Sequence, residues 1–184
     1  MPEPVSIVSL IAAMLLAASA GLNPYLPLMI VAVMAYSGNL TLPPPFGFVG
    51  RIWFVILAAL LFLVNVFLDK AFLPGDSLAT PVAQRSRRAW AGVAHDLGQM
   101  LLGPLAGAVL MWAISGFLPQ TWPLVAPMLG ILLAALVYTG KRALRRRLAG
   151  RLGPFTNLLM SAIEDVAVVM LCVAGLLLLR SQGV

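Results

Sequence analysis

Two acids, Glu164 and Asp165, lie side by side near the middle of an apolar stretch, 155–179, that is long enough to cross a bilayer. A carboxylate at that depth costs about 2.5–3.5 kcal/mol on insertion scales, so such groups persist where they face protein or a water-filled cavity. Asn157 and Ser161 precede them at helical spacing, and the four side chains share one face of the last span. Neighbouring carboxylates in a low-dielectric site resist ionising together, and a carboxyl that exchanges its proton is what a proton-coupled carrier uses. The same stripe could instead hydrogen-bond to adjacent helices and fix their packing. An earlier span carries Asn65, the natural partner for Glu164 across a bundle, and one turn later Asp69 beside Lys70 near the span's end.

The elements that position these groups follow from composition. Of 184 residues, 61% are hydrophobic and 10% charged, against about 25% charged in a soluble domain. Mean hydropathy is +1.01. Such a chain cannot cover its core with polar surface, so its solvent is lipid. It is expected to be all-α, a single polytopic membrane domain over residues 1–184 with about six transmembrane helices. The apolar segments run 5–20, 24–37, 51–68, 97–117, 122–139 and 155–179. About 20 helical residues span a 30 Å hydrocarbon core, so the first two are short.

Between those two lies Gly21-Leu22-Asn23-Pro24-Tyr25-Leu26-Pro27. Glycine ends a helix, asparagine caps the next and proline suits its first turn. This is either a tight interfacial turn or a broken helix at membrane depth. In the second case Asn23 brings a helix N-terminus, with its partial positive charge, close to a cavity.

Basic residues gather in two connections: Lys70, Arg85, Arg87 and Arg88, then Lys141, Arg142, Arg145, Arg146, Arg147 and Arg151. With six crossings both clusters share one face, and the other face keeps only Arg51 and Arg180. The positive-inside rule makes the basic face cytoplasmic, with both termini outside. If the first two segments cross only once together, the N-terminus moves inside. Arg87, Arg88 and Trp90 are expected on an amphipathic interfacial segment. The net charge of +6 therefore reads as topology signal and anionic-lipid contact; without alternating aromatics, nucleic acid is not an expected partner. Ala18-Ser19-Ala20 resembles a signal-peptidase site, but residues 1–4 offer only Glu3 where a positive leader is needed, so the segment is expected to be a retained span.

No serine–histidine–acid arrangement, phosphate loop or metal-ligand spacing is present, and no cofactor is expected. Cys172 is the only cysteine, which excludes an intramolecular disulfide. His95-Asp96 opens the fourth span as a wetted interfacial pair, and Asp76-Ser77 after Pro74-Gly75 reads as a turn and helix cap. Ser9, Ala13, Ala17 and Gly21 recur every four residues, and Gly103 and Gly107 form a pair at the same spacing. Both patterns let helix backbones approach closely, within one bundle or between copies in a homo-oligomer.

The halves 1–70 and 97–184, joined by the basic connection 71–96, share a rhythm of a close helix pair, a connection and a third helix. The connections are 38–50, rich in proline, and 140–154, rich in arginine. A shift of 99 residues superposes Pro24 on Pro123, Met29 on Met128, Ala35 on Ala134 and Leu60 on Leu159, and sets Asn65 against Glu164. Three spans per half make such repeats antiparallel, the inverted 3+3 architecture of many small transporters.

The stretch from Ala18 through Asn23, Pro24 and Tyr25 to Pro27, then Asp69-Lys70 with Asp76, Pro104-Leu105-Ala106-Gly107, and Pro154-Phe155-Thr156-Asn157 with Ser161 and Glu164-Asp165 resemble the bacterial integral-membrane family catalogued as domain of unknown function 4126. That family usually carries a glutamate at the position of Asn65 and an arginine at that of Gly103. Both departures remove a charge, which on this comparison leaves the last-helix acids as the main charged centre. The resemblance implies a membrane fold, in the bacterial inner membrane, and no particular activity.

The expected function is a small transporter or permeation pathway, proton-coupled through the acids, with Glu164, Asp165, Asn157, Ser161, Asn65 and Asn23 along the path and a small solute or proton as cargo. The alternative is a structural or assembly subunit of a membrane complex. An intramembrane lipid enzyme is disfavoured, because the basic residues are expected in loops rather than opposite the acids.

Overall fold

Each apolar run becomes a helix. The computed structural model describes residues 7–71, 82–115, 124–152 and 156–181, with side chains described for 7–67, 97–114, 124–148 and 159–181. The helices are α1 (Ile7–Leu22), α2 (Tyr25–Tyr36), α3 (Ile52–Ala71), α4 (Val82–Ser115), α5 (Val125–Leu152) and α6 (Thr156–Arg180), with one 3-10 turn at Phe46–Phe48. Among the described residues there is no strand. Leu97–Ile114, Val125–Leu148 and Leu159–Arg180 are long and apolar enough to cross a membrane, while Ile7–Leu22, Tyr25–Tyr36 and Ile52–Phe67 are shorter apolar helices. Burial agrees with a lipid solvent. Ile56, Leu60, Leu63, Val64 and Phe67 of α3 and Leu132, Leu136, Val166 and Met170 of α5 and α6 are all more than half exposed, a surface that water would not tolerate.

Two helices outrun their apolar segments. α4 starts at Val82, so the helix takes in residues 82–96 of the basic connection as well as the fourth apolar run, and α5 continues to Leu152 through the arginine-rich stretch expected to be a loop. The reason is that apolarity and helicity are separate properties. Lys, Arg, Ala, Leu and Gln are all strong helix formers, and Lys141-Arg142-Ala143-Leu144-Arg145 contains nothing to stop a helix. Basic side chains also suit the C-terminal end of a helix.

Close contacts set the directions. Ala12 meets Gly175 and Asn23 meets Asp165, so α1 and α6 run antiparallel. Gly107 meets Gly130 and Gln99 meets Lys141, so α4 and α5 are antiparallel too. α1 lies at the centre, against α4, α5 and α6, whereas α3 packs chiefly on α2. The core accordingly fills with small residues of α1: Ala12, Ala13, Ala17 and Ala20 are fully buried together with Leu16. Ser9, Ala13, Ala17 and Gly21, the four-residue repeat of the sequence, are all buried. Their packing lies within the bundle. A Cβ placed on Gly21 would come within 2.8 Å of Val137 Cβ, so α1 and α5 approach where only hydrogen fits.

At the end of α2 the chain turns through Gly38 at φ +76°, the left-handed conformation that terminates a helix. The Asn39 and Leu40 amides both donate to the Met34 carbonyl. The connection then folds inward: Phe46 is buried and meets Trp112 of α4 edge-to-face at 5.3 Å, and Phe48 stacks on Trp53 at 6.3 Å. This aromatic cluster marks one end of the bundle. The candidate site lies near the other.

Candidate functional site at the break between α1 and α2

Helix ends leave backbone groups without partners, and where they are buried something in the protein must satisfy them. Asn23 serves the start of α2, its Oδ1 accepting the amides of Tyr25 at 3.1 Å and Leu26 at 3.4 Å. The end of α1 is served from another helix: Lys141 Nζ of α5 donates to the Leu22 carbonyl at 2.6 Å. An ammonium at a helix C-terminus is also favoured by the dipole.

From these caps a polar network spreads through the bundle. Lys141 Nζ donates to Gln99 Oε1 at 3.0 Å and lies 3.1 Å from Glu164 Oε2. Arg145, one turn after Lys141, forks onto the same carboxylate, Nε to Oε1 at 2.6 Å and Nη2 to Oε2 at 2.5 Å. The side chains of Lys141 and Glu164 are 5% and 9% exposed, and that of Arg145 is 25% exposed. Gln99 Nε2 donates to Asn65 Oδ1 at 3.3 Å, and Asn23 Nδ2 donates to Asp165 Oδ1 at 3.2 Å. Two basic side chains, Lys141 and Arg145, and two acidic ones, Glu164 and Asp165, thus sit in a network that, with Asn65 and Gln99, links α3, α4, α5 and α6 to the α1–α2 break. A bidentate guanidinium–carboxylate pair is among the strongest polar contacts a protein makes. Such a pair needs its partners when buried.

Of the residues singled out by sequence, Glu164, Asp165, Asn23 and Asn65 are brought into this network, and Ser161 is buried on the same helix one turn before Asp165. The side chains of Asn157, Asp69, Lys70, Arg85, Arg87, Arg88, Trp90, His95 and Asp96 lie outside the described residues, as does the whole of Asp76-Ser77. Two expectations need correction. Asn65 does not bond directly to Glu164; Gln99 and Lys141 stand between them. The basic residues are not confined to loops, because α5 continues past the apolar run and carries Lys141 and Arg145 to the acids.

Three members were missed: Gln99, Lys141 and Arg145. The signal was present, since Lys141 and Arg145 are four residues apart and share a helical face once α5 is extended past Gly140. Ser19, a turn before the break, closes against the last helix through its Oγ, 3.4 Å from Cys172 Sγ. Among the described residues no group of three or more His, Cys, Asp or Glu side chains is placed to hold a metal ion.

The family model described as Domain of unknown function (DUF4126) matches residues 10–84 and 85–178. The chain belongs to this family. The match takes in Asn23, Asn65, Gln99, Lys141, Arg145, Glu164 and Asp165, so the polar centre lies within the DUF4126 domain and not in an appended segment. No curated protein and no solved structure matches the chain.

The DUF4126 break gives a first prediction. Asn23→Ala removes the cap of α2 and a partner of Asp165 together, and should destabilise the protein by about 1–2 kcal/mol. Asn23→Ser keeps a capping oxygen and should lose clearly less. Thermal unfolding of both variants in the same detergent measures the order; equal losses would mean that the cap contributes nothing.

Proposed function

We propose that this DUF4126 protein is a multi-pass carrier of small solutes in the bacterial cytoplasmic membrane, with the Glu164–Lys141–Arg145 group as a charged gate. The observation that carries the proposal is the coincidence of a broken helix pair with buried charged groups: α1 ends on Lys141 and α2 begins on Asn23, which holds Asp165. Discontinuous helices whose ends point at charged groups are how secondary transporters build their sites. Buried ion pairs add little net stability compared with apolar residues of the same volume, so a bundle needing only rigidity gains little from four charges.

Glu164 is held by both cations, which changes the expected mechanism. Opening of the gate then means exchange of ion-pair partners, with a charged group of the solute competing for Lys141, Arg145 or Glu164, rather than simple proton loading of a free carboxyl. In this reading all six helices cross, the halves are an inverted pair that contribute Asn65 and Glu164 to one centre, and the extended basic end of α5 faces anionic lipid in the cytoplasmic leaflet.

A second reading is favoured by a specific observation. Among the described residues no buried side-chain nitrogen or oxygen lacks a hydrogen-bond partner, as in a static brace within a larger membrane assembly. Proteoliposomes separate the two. A carrier raises proton or small-solute flux above empty vesicles, read with an entrapped pH dye and by osmotic light scattering, and Glu164→Gln with Asp165→Asn changes that flux at least about tenfold. Protein that is folded and inserted yet leaves vesicles as tight as empty ones supports the brace.

A further inference from the structure

A second polar feature lies at the opposite end of the bundle, where basic residues are scarce. Between the end of α2 and the last two turns of α6 the surface folds into a cavity of about 550 Å³. Its walls are apolar, with Met34 from one side and Val173, Leu176 and Leu177 from the other, and its mouth carries Asn39 and Arg180. Arg180 stands in the last turn of α6 and is exposed. Val173 is seven residues earlier, so the apolar wall runs about 10 Å along the helix below the arginine. A second cavity is lined by Arg51 with Phe48 and Trp53. The two arginines that this end retains therefore each line a concave surface.

We propose that the α2–α6 cavity is a binding site for one phospholipid of the leaflet at that end, its phosphodiester on Arg180 and an acyl chain against Val173, Leu176 and Leu177. The chemistry of the lining selects this occupant. A cation at the water boundary with an apolar slot descending from it complements an anionic headgroup joined to a hydrocarbon tail. A soluble anion would leave the slot empty, and a neutral lipid would leave Arg180 without a counter-charge. The volume lies within the usual range for small-molecule sites, enough for the headgroup and the upper part of one chain.

Native mass spectrometry of the full chain released from detergent with added phosphatidylglycerol tests this. The expected result is one retained phosphatidylglycerol and much weaker retention of diacylglycerol with the same chains. Arg180→Gln should lower retention about fivefold, as loss of one basic contact near a membrane surface implies. Arg147→Gln, an equal change of charge on the exposed end of α5, should leave it unchanged. Val173→Phe, which fills the slot while keeping Arg180, should also reduce retention. The proposal is overturned if Arg180→Gln and Arg147→Gln behave alike, if diacylglycerol is held as well as phosphatidylglycerol, or if Val173→Phe has no effect.

Discussion

Replacing Glu164 with glutamine is expected to destabilise the protein by about 3 kcal/mol, because it leaves Lys141 and Arg145 facing each other without their shared carboxylate. The substitution removes the 3.1 Å ion pair with Lys141 and the fork of Arg145. The figure sits at the low end of the range for breaking a buried pair, since Arg145 keeps a quarter of its side chain exposed and can turn toward water. Arg145→Gln alone should cost less, because Lys141 still faces Glu164. The double variant Glu164→Gln with Arg145→Gln restores neutrality around Lys141 and Asp165 and lets two amides bond. It should recover much of the loss, giving a coupling energy of about 2 kcal/mol in a double-mutant cycle. Equilibrium unfolding in one detergent measures all four proteins, and strictly additive losses would show that the fork carries no coupling. Stability and flux then come apart informatively: a gate predicts that the double variant regains stability without regaining transport.

The second large effect belongs to the crossing of α4 and α5. A Cβ on Gly107 would lie 2.6 Å from the Gly130 carbonyl oxygen and 2.7 Å from Ala134 Cβ, and one on Gly130 would meet the Gly107 backbone and come within 2.7 Å of Met111 Cβ. The obstacle is backbone on both sides, so no side-chain rotation relieves it. Gly130→Ala should therefore cost about 3 kcal/mol, the upper end of the usual overpacking range, and Gly130→Leu should prevent assembly of the bundle. Gly140, on the same helix, has no atom within 4 Å of its would-be Cβ. Gly140→Ala should be neutral or stabilising by about 1 kcal/mol through helix propensity alone. Finding the two alanine variants equally stable would rule out the close crossing.

These two regions also show how far the sequence could be read. Every apolar run became a helix, and the small-residue spacing through Ser9 and Gly21 marked the buried face of α1, because packing at close range leaves a direct trace in residue size. The acids of α6 and the capping role of Asn23 were legible for the same reason: a carboxylate among leucines, and a Gly-Leu-Asn-Pro break, each have few physical explanations. Lys141 and Arg145 were obscured by their surroundings. Hydropathy sets them outside the fifth span, and positive-inside reasoning assigns them a sufficient role at the membrane surface, so nothing in the charge pattern demands that they turn back to Glu164. Their partnership depends on α1 stopping at Leu22, which exposes a carbonyl end beside α5 for Lys141 to occupy. That is a tertiary fact. Gln99 was hidden likewise, since a lone glutamine at a span boundary has no distinguishing pattern and gains meaning only between Asn65 and Lys141.

Whether water reaches the charged centre decides between gate and brace, and a single cysteine reports it. Cys172 is the chain's one native cysteine, so Cys172→Ser with Ser161→Cys places the sole thiol one turn from Asp165 at a buried position. In oriented vesicles, a small membrane-impermeant thiosulfonate is added to one side and then, in a separate preparation, to the other. Modification from both sides at measurable rates is expected, as a gate that opens alternately requires. Folded protein whose cysteine resists the reagent from either side would contradict the gate and leave a dry, salt-bridged brace.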